Sequence, residues 1–61
     1  MPRDRILVVD DESDIRKLLK VRLELAGFEC REASNGEEAL RMVREFKPSL
    51  IILDMVMPGK D

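Results

Sequence analysis

The sequence predicts an α/β fold: a doubly wound parallel sheet built β-α-β-α-β, with strand order 2-1-3. Three observations predict it. Two apolar runs, Ile6-Leu7-Val8-Val9 and Leu50-Ile51-Ile52-Leu53, end on carboxylates, Asp10-Asp11 and Asp54. A third run, Phe28 to Ala33, alternates apolar and polar residues. Helical periodicity fills both intervals, and such alternation argues for parallel strands joined by right-handed crossovers. Continuous apolar runs read as strands buried on both faces, whereas alternation reads as a half-exposed strand at an edge. With the alternating strand at the edge, the first and third strands are neighbours and the two helices lie on opposite faces.

Each element has its own signals. Met1 to Asp4 is a polar lead-in, and Arg5 to Val9 is the first strand. The turn Asp10 to Ser13 supplies capping side chains, with Asp11, Ser13 and Asp14 all able to serve. A helix then runs to Ala26. Ile15, Leu18, Leu19, Leu25 and Ala26 fall near one stripe, Val21 and Leu23 widen it, and Arg16, Lys17, Lys20 and Glu24 form the solvated surface. Gly27 sits where a left-handed helix end is expected. In the second strand Phe28 and Cys30 point one way, Glu29 and Arg31 the other. Ser34-Asn35-Gly36-Glu37 matches a capping box with Ser34 as cap. The helix it opens carries Ala39, Leu40, Val43 and Phe46 on one face, and Lys47-Pro48 stops it. The third strand, Leu50 to Leu53, follows.

Composition narrows the class. The chain has 61 residues, 44% of them apolar, and a net charge of -2 with both signs mixed. That balance favours a folded globular protein and lacks the basic footprint of direct nucleic-acid binding. No apolar run approaches the ~20 residues that span a bilayer. The single Cys30 excludes an internal disulfide and fits a reducing, cytoplasmic setting; its place beside Phe28 suits a small core residue. Met42, Met55 and Met57 read as packing. The absence of histidine removes the commonest general base, so an independent enzyme is not expected. A domain of this size buries only about 60% of its unfolded surface, which invites help from a partner.

The carboxyl ends of the first and third strands form a topological switch point, where ligands of open α/β sheets bind. Asp10, Asp11 and Asp54 would meet there. Crowded carboxylates repel one another. A hard divalent cation such as Mg2+ relieves that repulsion and tends to share its site with a phosphoryl group. An aspartate in such a site can act as a nucleophile and form an aspartyl phosphate. A plainer reading stands beside this one: Asp-Asp ahead of a helix also serves as cap and dipole partner.

The segments ILVVDDE at Ile6 to Glu12, GFECREASNGEEAL at Gly27 to Leu40 and PSLIILDMVMPGKD at Pro48 to Asp61 resemble the N-terminal half of a response-regulator receiver domain from two-component signalling. The resemblance covers essentially the whole chain. It implies a flavodoxin-like fold, with residues 1–61 forming the first half of a receiver that stops before the fourth strand. It implies Asp54 as phospho-acceptor and Mg2+ as cofactor. Asp11 would be a direct metal ligand, Asp10 would act largely through water, and Val56 would give its backbone carbonyl. Met57 and Pro58-Gly59 match the loop that follows. The implied partner is a sensor histidine kinase or a histidine phosphotransfer domain, to whose docking the first helix contributes. The family's Ser/Thr on the fourth strand and Lys on the fifth fall beyond the matched segments, and Lys60, in the loop after the third strand, does not replace that Lys. A half-domain would leave the outer edge of the third strand open. It would then act as a structural, self-associating unit, most simply a two-fold homodimer.

Overall fold

The computed structural model describes residues 4–53. The order of elements is β1 (Arg5–Val9), α1 (Ser13–Leu25), β2 (Glu29–Ala33), α2 (Gly36–Phe46) and β3 (Leu50–Leu53). The three strands form one parallel sheet in the order β2-β1-β3. Val9 lies opposite Ala33 on one side and Leu53 on the other. The expected architecture and strand order are therefore present.

Strand β1 is the spine. Its residues Ile6 to Val9 are buried, and its side chains divide between two cores as the period of a strand requires. Ile6 and Val8 join Cys30 on one face, covered by Leu19 and Leu23 of α1 with Phe28 and Ile52 beside them. Leu7 and Val9 join Ala33 on the other, covered by Ala39 and Met42 of α2. The helices thus pack on opposite faces. Cys30 is buried as expected, and burial, reinforced by the Glu24 carboxylate, pushes its thiol above the ordinary value.

Three expectations about burial need correction. In α1 the inward residues are Leu19 and Leu23, four apart, while Leu18, Val21, Leu25 and Ala26 are exposed. In α2 Met42 packs inward with Ala39, and Leu40 and Val43 are exposed. Strand β3 is not buried on both faces: Leu50, Ile51 and Leu53 keep 54%, 43% and 67% of their surface. The reason is geometric. Both helices lie over β1 and β2, and among the described residues the backbone of neither comes within 8 Å of β3.

Helix α1 ends in a Schellman motif. The Gly27 N–H donates to the Glu24 carbonyl at 3.0 Å and the Phe28 N–H to the Leu23 carbonyl at 3.1 Å. Gly27 takes φ 102°, the left-handed conformation expected of it. Helix α2 ends on Lys47 at φ 53°, whose N–H donates to the Val43 carbonyl. The Ser49 N–H and hydroxyl then reach the Arg5 carbonyl, 44 positions earlier, and set β3 beside β1.

Candidate functional site

The carboxyl end of β1 is built around Asp10, which is 2% exposed. Its N–H donates to the Ala33 carbonyl of β2 at 3.1 Å, extending the ladder one residue past the strand. Its carbonyl accepts from Arg16 Nη1 at 2.8 Å. Its Oδ1 accepts from the Glu12 N–H at 2.8 Å, closing an Asx turn that starts α1. Oδ2 is buried and has no hydrogen-bond partner among the described residues. A buried polar oxygen without a partner costs about 1–3 kcal/mol, so such an atom calls for a ligand or another explanation.

Asp11, next in the chain, is exposed. The expected cap at Asp11, Ser13 or Asp14 is not made. The N-cap is Glu12, and no side chain caps that end. Asp14 stands in the first turn, where a carboxylate suits the helix dipole. Arg16 also departs from its solvated reading. Its Nε lies 2.9 Å from Glu32 Oε1 on β2, and its side chain is largely covered. Lys20 Nζ is 3.8 Å from Glu32 and 3.9 Å from Glu24. Helical periodicity places Arg16 off the apolar stripe but cannot show that an acid on a neighbouring strand waits for it.

Of the expected site residues, Asp10 and Asp11 stand together at the end of β1. Asp54 follows the last residue of β3, and it lies with Val56 outside the described residues, as do Met55, Met57, Pro58, Gly59 and Lys60. Among the described residues no group of three potential metal ligands gathers. The chemistry of the pair still fits a hard cation. Asp10 offers a buried oxygen with no other partner, Asp11 offers an exposed carboxylate, and neither forms an ion pair with a described Lys or Arg.

The start of α2 shows a different use of polar groups. Asn35 is the cap, and its Oδ1 accepts from the Glu38 N–H at 2.9 Å. Glu38 Oε1 reaches back to the Ser34 N–H and hydroxyl, both at 2.7 Å. The capping box is thus shifted by one residue from Ser34–Glu37. The two bonds from Ser34, the backbone one foremost, hold the Glu38 carboxyl below its ordinary pKa.

A groove of about 260 Å3, lined by Arg5, Glu29, Arg31, Met42, Glu45 and Phe46, lies at the opposite end of the strands from the acidic pair. Arg5 and Arg31 stack over the Phe46 ring there, 5.5 and 5.1 Å from its centre. Arg5 also lies 3.7 Å from Glu29 and donates to the Phe46 carbonyl at 2.9 Å. These contacts fasten the end of α2 to the sheet. Among the described residues no helix is long and apolar enough to cross a membrane.

A parallel sheet ordered 2-1-3, with a helix on each face and an acidic pair ending its central strand, defines a doubly wound module of the flavodoxin-like kind. The chain belongs to the response regulator receiver domain family, the receiving module of two-component systems, whose model matches residues 6–61. A similar solved structure is the response regulator protein TrrA from Thermotoga maritima in complex with Mg2+-BeF. It is 54% identical, with a TM-score of 0.79 over 92% of this chain and 49% of that one. The probable transcriptional regulator ycf27 of Pyropia yezoensis is 52% identical over 59 residues, 97% of this chain and 24% of its own. The phosphate regulon transcriptional regulatory protein PhoB of Pseudomonas aeruginosa is 50% identical over 54 residues, 88% and 24% of the two chains. The chain therefore spans about a quarter of the length of these curated relatives and about half of the solved one.

Proposed function

We propose that residues 1–61 are the N-terminal half of a receiver that takes a phosphoryl group from a histidine kinase or histidine phosphotransfer domain onto Asp54. In this reading Asp10, Asp11, Asp54 and the Val56 carbonyl hold Mg2+, and the module works in the cytoplasm. The observation that carries the reading is Asp10 Oδ2, buried at the switch point with no partner among the described residues. The Mg2+ complex of the TrrA protein supports the choice of metal. Bound Mg2+ would supply neutralisation of charge on the phosphoryl oxygens. An Asp54 carboxylate oxygen attacks phosphorus in line, the P–O bond forms as the P–N bond of phosphohistidine breaks, and the departing imidazole keeps the electron pair and takes up a proton. Asp10 contributes a fixed oxygen that needs no reorganisation when the cation arrives.

The test is labelling of the chain by a small phosphodonor with Mg2+. One phosphoryl group per chain is expected, absent in Asp54→Asn and absent without the metal. Intact wild-type chain that stays unlabelled with Mg2+ present would remove the phospho-acceptor reading for this length of chain.

A second reading rests on β3. Its outer edge is unpaired among the described residues, and three of its four side chains are exposed. An unpaired apolar edge is a template for another strand. Antiparallel pairing of two β3 strands would give a closed two-fold homodimer that acts as a structural unit. Sedimentation equilibrium over a range of concentrations reads this directly: a monomer at every concentration rules the dimer out.

A further inference from the structure

Asp10 has four polar backbone and side-chain groups, and three are committed to three different residues. Its N–H is bonded to β2, its carbonyl to Arg16 of α1, and Oδ1 to the Glu12 N–H at the helix entrance. The Arg16 contact is the unusual one. Its partner on Asp10 is the backbone carbonyl, and no ion pair to the carboxylate is formed. Arg16 donates Nη1 to the Asp10 carbonyl while its Nε is engaged by Glu32 at 2.9 Å, a carboxylate that Lys20 also approaches at 3.8 Å. The acidic pair is left with no ion pair to any described Lys or Arg.

We infer that Arg16, oriented by Glu32, is a positioning residue. It fixes the Asp10 backbone without hydrogen-bonding the carboxylate, so that Oδ2 remains free for the divalent cation. This rests on the metal-site reading above. The planar fork of arginine suits the task, since one edge serves the carbonyl and another the carboxylate, and a lysine ammonium cannot span both. Glu32 thereby acts at the metal site from the edge strand without touching the metal.

The experiment compares wild-type chain with Arg16→Gln, Arg16→Lys, Glu32→Gln and the Arg16→Gln/Glu32→Gln pair, using Mg2+ alone as ligand. Two readouts are needed: Mg2+ affinity from amide shifts, and hydrogen-exchange protection of the Glu12 amide in metal-free protein. Each single variant, Arg16→Lys included, should weaken Mg2+ by about tenfold, the lower end for groups that orient a ligand. The pair should be no weaker than either single variant, because both act through one contact. The Glu12 amide should lose protection while the Leu7 amide, mid-sheet, keeps it. Unchanged Glu12 protection in Arg16→Gln would overturn the inference whatever the metal does. Unchanged Mg2+ affinity would overturn it too. Loss of Leu7 protection in both Arg16→Gln and Glu32→Gln would make these residues general supports of the fold and would likewise overturn it. Wild-type chain that binds no Mg2+, with Glu12 protection still lost in Arg16→Gln, would sink the metal site and leave Arg16 as the anchor of Asp10.

Discussion

The two helices begin in opposite ways. At α2 the polar groups bond locally: Asn35 caps Glu38, and Glu38 returns to the backbone and hydroxyl of Ser34. At α1 the cap is a glutamate with no capping bond, Asp11 and Ser13 are exposed, and Asp10 keeps a buried oxygen without a partner among the described residues. The first start is held by residues within four positions of one another. The second is held from a distance, by Arg16 and by strand β2. The same residue types at a helix N-terminus can thus bond within the first turn or be left without a local partner.

Substitutions can break that contrast. The largest effect is expected at Asp10→Asn, which replaces a buried carboxylate by a neutral amide of the same shape. Metal-free stability should rise, because a buried charge beside the Asp11 carboxylate is removed, and Mg2+ should cease to protect the chain in urea titrations. A fall in metal-free stability would show that Oδ2 is better satisfied than the bonding suggests. Next comes Asn35→Ala, with the opposite sign: loss of a side-chain cap should destabilise by about 1 kcal/mol, with no change in Mg2+ affinity. Equal loss of Mg2+ binding would erase the distinction between the two starts.

A pH series sharpens the contrast further. The folded-state pKa of Glu38 is depressed by the Ser34 donors. Its contribution is therefore complete above its unfolded value and disappears as pH falls through the folded one. Wild-type chain should be more stable than Glu38→Gln near neutrality, and the gap should close in acid. A gap that stays constant with pH would mean that charge plays no part in the bond. The smallest effect is expected at Ser13→Ala, within about 0.5 kcal/mol, as for an exposed residue away from any special contact. A loss like that of Asn35→Ala would show that Ser13 caps in solution.

What was legible in the sequence follows from how far each signal reaches. The alternation of β2 and the continuous runs of β1 and β3 are properties of consecutive residues, and they placed the strands and their order. Gly27 and the Lys47-Pro48 stop are equally local. Ser34 and Asn35 are adjacent and both able to cap, so the choice fell to whether Glu37 or Glu38 could turn back, which needs coordinates. Arg16 depends on Glu32, sixteen positions away and on another element. The exposure of Leu18, Leu25, Leu40 and Leu53 depends on what covers them, and periodicity records only which side of an element a residue occupies. Asp10 and Asp11 were placed by the strand they end. Asp54, read by the same rule, lies outside the described residues.

The central position of β1 has a consequence for synthesis. The strand is made first, yet it cannot be completed by its neighbours in sequence. Its outer partner follows only after a separation of 44 positions, that between Arg5 and Ser49. At roughly 5–20 residues per second on the ribosome, that is about 2–9 s during which Ile6 to Val9 waits for β3. The buried run Ile6 to Val9 is therefore a segment that a nascent chain must protect until β3 arrives. Chaperone capture or cotranslational aggregation should focus there, ahead of the leucines exposed on the finished surface, such as Leu25 and Leu53.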